Sequence, residues 1–256
     1  MTSAITDLAR RRPVMAAIAL TVLVSLPFLI VPEIDRAASA PLVVPGGFLL
    51  IHAHTLDIVR YASRGVMLAV LIWIAASLVV PLLISGQRRR LMPPRAALFL
   101  LVSLAIGPGI VVGRFKDIWG RARPRELSEW GGDLGFSGAW EMSTQCASNC
   151  SFISGEAASA MWLMALALVV PATWRMRVIV GALLFAVFVS AARMLVGAHF
   201  LSDVLIAWCM TLIVIALVHG LFYRWFGLTD EKVDAVFARL RAFLQAPFRL
   251  VFGGSR

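Results

Sequence analysis

Residues 177–222 read RVIVGALLFAVFVSAARMLVGAHFLSDVLIAWCMTLIVIALVHGLF. Two apolar runs, 177–191 and 201–222, flank a short break that carries Arg193 and His199, with Asp203 just inside the second run. A helix needs about 17 to 25 apolar residues to cross the hydrocarbon of a bilayer. Working outward from this pair, four further stretches reach or approach that length: about 14–31, 65–85, 95–113 and 154–171. The run 177–191 is the shortest of the six. At 256 residues, 60% hydrophobic and a mean hydropathy of +0.87, the chain carries far more apolar surface than one soluble core absorbs. The expected fold is all-α: a polytopic membrane protein with six transmembrane helices in a bundle. No repeat and no low-complexity tract divides it, so residues 1–256 are expected to form a single membrane-embedded domain.

Arg10-Arg11-Arg12 before the first run and Ala38-Ser39-Ala40 after it imitate a secretory signal with its cleavage site. The run exceeds the roughly 7–15 residues of a signal core, which favours an uncleaved helix. Basic residues in short loops mark the cytoplasmic side. Arg10 to Arg12, Arg88 to Arg90 with Arg95, Arg175 with Arg177, and the basic residues from Arg224 to Arg249 fall on alternate sides of the spans. Both termini are therefore expected in the cytoplasm of a bacterial inner membrane. Loops 32–64, 114–153 and 192–200 then face the periplasm.

The net charge of +10 and pI near 11.1 would point to nucleic acid in a soluble chain. Here topology and attraction to anionic lipid account for most of it, so the bilayer is the expected partner and nucleic acid is not. Within 229–251, Val233, Val236, Phe237, Leu240 and Leu244 recur at helical spacing opposite Lys232, Arg239 and Arg241, as in a helix lying in the interface. A solvated tail fits the same pattern. Cys146 and Cys150 sit in an outward loop, where a disulfide and two free thiols are both compatible with the spacing, while Cys209 lies inside the last run as an apolar residue. No Cys or His spacing suits zinc.

Three groups carry chemistry. Lys116 and Arg123-Pro124, with Arg121 and Arg125, supply fixed cations for a phosphoryl group, whose charge spreads over its equatorial oxygens. The plainer reading is a basic helix flank, but it stands on the wrong side for one. Ser151-Phe152-Ile153-Ser154-Gly155-Glu156 opens the fourth run, where free backbone amides and the helix dipole favour an anion; an ordinary serine N-cap is the plainer reading. Arg193, His199 and Asp203 decide between these. They place an imidazole nucleophile one helical turn from a carboxylate able to fix its tautomer.

Across residues 110–205 this pattern resembles the type 2 phosphatidic acid phosphatase superfamily, which shares its site with vanadium haloperoxidases. Lys116, six residues, then Arg123-Pro124 matches the first motif without a gap. Arg193, five residues, His199, three residues, Asp203 matches the third, with Ala192 where serine is usual. The resemblance implies that His199 forms a phosphohistidine, that Asp203 orients it, and that Lys116, Arg123, Ser154, Gly155 and Arg193 bind the phosphate, with no metal and no cofactor. The second motif departs: Ile153-Ser154-Gly155-Glu156 stands where the family has Pro-Ser-Gly-His. The family's histidine there is the general acid.

Two roles for Glu156 follow. As a partly buried acid it would protonate the leaving group; as a partner for an arginine it would leave that task to His52 or His54. The implied activity is metal-independent hydrolysis of a phosphomonoester or diphosphate on a membrane lipid: lipid A phosphate, undecaprenyl diphosphate, phosphatidylglycerophosphate or phosphatidic acid. The Ser-Gly-Glu variant after Asn149-Cys150-Ser151 resembles a branch of alpha-proteobacterial members, some similar to lipid A 4′-phosphatases. Loop 125–150, with Trp130 and Trp140, is expected to select the head group or to sit in the interface. A non-catalytic lipid-phosphate binder or transporter is the alternative.

Overall fold

The structure is a computed structural model that describes residues 11–49, 54–83 and 91–252. His52 therefore lies outside the described residues. Among the described residues, five helices are long and apolar enough to cross a membrane: α1 (Pro13–Ile30), α3 (His54–Leu83, apolar over Asp57–Pro81), α4 (Pro94–Ile118), α6 (Ala172–Leu195) and α7 (Leu201–Trp225). Between them lie the short α2 (Glu33–Ser39), a two-stranded hairpin of β1 (Val43–Val44) and β2 (Gly47–Phe48), and α5 (Gly155–Trp162), which tightens into a 3-10 turn over Leu163–Leu168. The amphipathic α8 (Asp230–Phe252) ends the described chain. The chain is thus an all-α, multi-pass membrane protein.

The expected spans need adjustment at three places. The run 177–191 is no short segment but the middle of the 24-residue α6. Arg175, Arg177 and Arg193 interrupt the hydropathy but not the helix, since arginine is a good helix former whose stem lies along apolar surface. Conversely, 154–171 yields a single apolar stretch, Gly155–Leu168, below the length set for a span. At about 1.5–2 Å per residue it covers less than the roughly 30 Å of hydrocarbon. Finally, α3 begins at His54 rather than near 65, because Asp57, Arg60 and Arg64 add polarity without breaking the helix. That early start carries two arginines toward the site.

The chain divides into two compact units: residues 1–67 with 103–217, and residues 68–102 with 218–256. In the first, Phe28, Val112, Phe152, Ile153, Ala157, Val204 and Ile206 form a buried core. Phe115, Trp119, Trp140 and Phe152 pack beside it with ring centroids 5.0–6.1 Å apart. Trp140 is thus committed to this cluster, and Trp130 packs on Phe48 and Phe200. In the second, Phe99 meets His219 and Tyr223 edge-on, and the Arg95 guanidinium stacks 4.2 Å over Tyr223. The Arg95 amide also donates to Asp230 Oδ1 (3.1 Å), fixing the start of α8. Apolar side chains such as Leu23, Ile30, Leu184 and Phe188 remain exposed on α1 and α6, as suits helices whose solvent is lipid.

The segment 119–153 has little regular structure, yet its backbone is tied down. Ser143 N–H donates to the Trp119 carbonyl, Cys146 N–H to that of Gly120, and Ser151 N–H to that of Arg121 (2.9 Å each). Gly120 holds φ +61°, and a Cβ there would stand 1.8 Å from the Ser143 carbonyl oxygen. Glycine is therefore required at that turn. A Cys146–Cys150 disulfide closes the end of the segment.

Candidate active site

All the residues of the site belong to the first unit. The chain leaves α6 through a glycine-terminated cap: Gly197, at φ +62°, donates its N–H to the Met194 carbonyl, and Ala198 donates to that of Arg193. This double bond pattern ends a helix and reverses the chain. It delivers His199 two residues later, nine-tenths or more buried, at the wall of a cavity of about 450 Å³. Helix α7 begins immediately, with Asp203 in its first turn accepting from the Phe200 N–H (2.9 Å), half of a capping box. The same geometry sets Asp203 Oδ2 3.6 Å from His199 Nδ1. Burial draws the His199 imidazole down to about 4, with Asp203 opposing and Lys116 reinforcing the shift. The ring is neutral at physiological pH and keeps a lone pair.

Asp203 is held from behind by a network that is entirely buried. Arg121 Nη1 donates to Asp203 Oδ1 (2.6 Å), and Arg121 Nη2 to Asp35 Oδ2 (2.8 Å). Ser151 Oγ donates to Asp203 Oδ2 (2.5 Å), and Ser202 Oγ donates to Asp35 Oδ2 (2.5 Å). The Ser202 N–H, unpaired within its own helix, donates to Asp35 Oδ1 (2.8 Å), so a carboxylate from α2 caps the positive end of α7. Burial pushes the Asp35 carboxyl up, against the pull of Arg121. The Arg121 guanidinium stacks 4.2 Å from the Phe200 ring and also donates through Nε to the Ser137 carbonyl (2.9 Å). The charged groups Arg121, Asp35 and Asp203 are each hydrogen-bonded on every side named, the condition for burying such charges.

On the cavity side, α4 contributes Lys116 one turn beyond Val112. The helix widens to a π turn over Ala105–Val111, where Pro108 removes an amide, and Pro108 with Gly109 lines the cavity. Lys116 Nζ donates to the Cys150 carbonyl (2.9 Å), and Arg123 Nη2 donates to that of Asn149 (2.6 Å). Both cations thus lean on the disulfide-closed turn. Glu156, in the first turn of α5, pairs with Arg193 Nε (2.6 Å), Arg60 Nε (3.2 Å) and Arg64 Nη2 (3.0 Å). Among the described residues the charged lining is five cations, Arg60, Arg64, Lys116, Arg123 and Arg193, against the one carboxylate of Glu156. Such a surface attracts a phosphate and stabilises charge that develops on it.

The structure brings Lys116, Arg123, Gly155, Glu156, Arg193 and His199 to one cavity, with Asp203 behind the imidazole. The side chain of Ser154 does not join them. It is buried, and its Oγ accepts from the Ala157 N–H (3.4 Å) as a helix cap.

A family model described as the PAP2 superfamily matches residues 96–226, half of the chain and every motif residue of the site. The chain belongs to the PAP2 superfamily. Among curated proteins it is 44% identical over 117 residues to a lipid A 4′-phosphatase of Rhizobium leguminosarum, covering 45% of this chain and 50% of that one. It is 36% identical over 132 residues to a lipid A 4′-phosphatase of Francisella tularensis subsp. novicida, covering 51% and 60%. The matched stretch spans about half the length of these relatives. A crystal structure of a transmembrane PAP2 type phosphatidylglycerolphosphate phosphatase from Bacillus subtilis superposes with a TM-score of 0.55 over 83% of this chain and 98% of its own, at 17% identity. That likeness concerns the fold.

Sequence reasoning missed Asp35, Arg60 and Arg64, and it counted Arg121 and Arg125 among the phosphate-binding cations, whereas neither lines the cavity and Arg121 is bound to Asp203 and Asp35 behind the imidazole. A signal for the two α3 arginines was available: both stand in the loop 32–64 assigned to the periplasmic side, where positive charge is unexpected. Nothing local marks Asp35, whose partners Arg121 and Ser202 lie 86 and 167 residues away.

Proposed function

We propose that this chain is a lipid phosphatase that removes a phosphomonoester from lipid A or a closely similar glycolipid at the periplasmic face of the bacterial inner membrane. The observation that carries this reading is a buried neutral imidazole, His199, backed by Asp203, in a cavity otherwise charged by five cations and one carboxylate. The Rhizobium and Francisella relatives support lipid A as the substrate.

With Asp203 beside Nδ1, Nε2 of His199 attacks phosphorus and the bond from phosphorus to the lipid oxygen breaks. Lys116, Arg123 and Arg193, with the first amides of α5, hold the phosphoryl oxygens as charge builds on them. Water then attacks the phosphohistidine, releasing inorganic phosphate and restoring the imidazole. Glu156 serves as an ion-pair anchor that aligns Arg193 with Arg60 and Arg64. A carboxylate shared by three guanidiniums is suited to that task and poorly placed to give up a proton. The proton for the departing oxygen then comes from elsewhere, and His52→Ala and His54→Ala test the two candidate imidazoles.

Phosphate release by the purified protein in detergent with EDTA, across lipid A, undecaprenyl diphosphate, phosphatidylglycerophosphate and phosphatidic acid, tests the reading. Release from lipid A that vanishes in His199→Ala is expected. Binding of these lipids without release from any of them would instead favour the binder or transporter.

A further inference from the structure

The cavity holds more positive charge than one phosphate uses. Five cations against one carboxylate leave a surplus of four, whereas a phosphomonoester dianion brings two negative charges. The cations also differ in depth. The Arg193 side chain is 12% exposed and that of Arg123 10%, while those of Arg60 and Arg64 are 38% and 53% exposed. Lys116, Arg123 and Arg193 surround the nucleophile. Arg60 and Arg64, one turn apart on α3, stand toward solvent and touch Glu156 through one nitrogen each. The rest of each guanidinium fork keeps donors suited to a second carboxylate or phosphate.

From these observations we propose that Arg60 and Arg64 form a second anion subsite, and that the substrate's head carries another anionic group close to the phosphate that is removed. This rests on the phosphatase reading of the cavity and deepens it. Because Arg60 and Arg193 share one carboxylate through contacts of 3.2 and 2.6 Å, their Nε atoms are at most about 8 Å apart. With the two guanidiniums this close, the second anion is expected near the first, on the same sugar rather than at the far end of a disaccharide. Glu156 then has a second purpose. It keeps three like-charged arginines together while the site is empty, and it sets the spacing between the two anions they read.

The test uses the full chain in detergent and three lipids with the same acylated glucosamine disaccharide. One carries phosphate at position 4′ alone, one carries it with a second acidic group on an adjacent position of the same sugar, and one carries it with a phosphate at position 1. The wild type is expected to favour the neighbouring acid over the monophosphate by about tenfold or more in kcat/KM, the size of one bidentate charged contact. In Arg60→Gln/Arg64→Gln that ratio falls to within twofold, whatever happens to the absolute rates. In Arg60→Lys/Arg64→Lys, which keeps the charge and loses the fork, part of it survives. An equal ratio in wild type and Gln variant overturns the subsite, and a preference won by the position 1 phosphate overturns its short reach. Displacement of a fluorescent lipid reports the same ratios as affinities. Without phosphate release from any lipid the phosphatase reading fails, while the affinity ratios still decide the subsite.

Discussion

Arg121 donates from Nη1 to Asp203 at 2.6 Å and from Nη2 to Asp35 at 2.8 Å, with all three side chains shut off from solvent. One guanidinium thereby joins α2, the segment after α4 and the start of α7 behind the imidazole. Removing one member of such a buried network leaves the others uncompensated.

Asp35→Asn is expected to cost about 3 kcal/mol of stability, because Arg121 loses a buried counter-charge and the first turn of α7 loses its anionic cap. As Asp203 shifts relative to His199, kcat should fall on the order of 10- to 100-fold with KM little changed. Denaturation in detergent and steady-state kinetics read the two effects. Wild-type kcat with the stability loss would leave Asp35 a purely structural residue.

His199 gives the protein a pH-dependent stability with a definite sign. Its folded value is depressed to about 4 from the usual 6.5, so its contribution is complete above pH 6.5 and is lost as pH falls toward 4. At about 1.4 kcal/mol per unit the loss amounts to roughly 3 kcal/mol. His199→Gln should flatten this part of the curve between pH 6.5 and 4. Parallel curves for the two proteins would contradict a buried neutral imidazole.

Glu156→Gln keeps the shape of the side chain and removes its charge. Arg193, Arg60 and Arg64 then repel one another, and kcat/KM should drop on the order of 10- to 100-fold. The basic limb of the pH profile should keep its position, because Glu156 as anchor donates no proton. Loss of that limb in the variant would return Glu156 to the role of general acid.

The Cys146–Cys150 disulfide closes a loop so short that its loss should lower stability by only ~2 kcal/mol. Its carbonyls, however, hold Lys116 and Arg123. Cys146→Ser/Cys150→Ser is therefore expected to raise KM by about threefold to tenfold while changing kcat less, since cations that drift cost uniform phosphate binding. An unchanged KM would show that the two cations hold their places without the closed turn.

Much of this site was legible in the chain because its groups are local. Arg193, His199 and Asp203 lie within eleven residues, and the spacing of His199 and Asp203 is one helical turn. Lys116 and Arg123 stand out as positive charge in a loop that the alternation of basic residues assigns to the side opposite the cytoplasm. The second layer was not legible, because Asp35 reaches Arg121 and Ser202 only through the folded packing of α2 against the start of α7. Hydropathy found five of the six expected spans among the described residues, overcounted 154–171, and misjudged the ends of others. Arg175, Arg177 and Arg193 shorten the apolar run without shortening α6, and Arg60 and Arg64 hide the first turns of α3. Ser154 carried two readings in sequence, and its buried hydroxyl accepts the cap bond from Ala157 that the plainer one expects.

The most direct test of the central claim is to quench the protein during turnover of lipid A at alkaline pH, where phosphohistidine survives, and to locate any phosphoryl group by peptide mass spectrometry. A phosphoryl group on His199, turning over as phosphate is released and absent from His199→Asn, is the predicted result. Full phosphate release by His199→Asn, or a phosphoryl group on another residue, would contradict it.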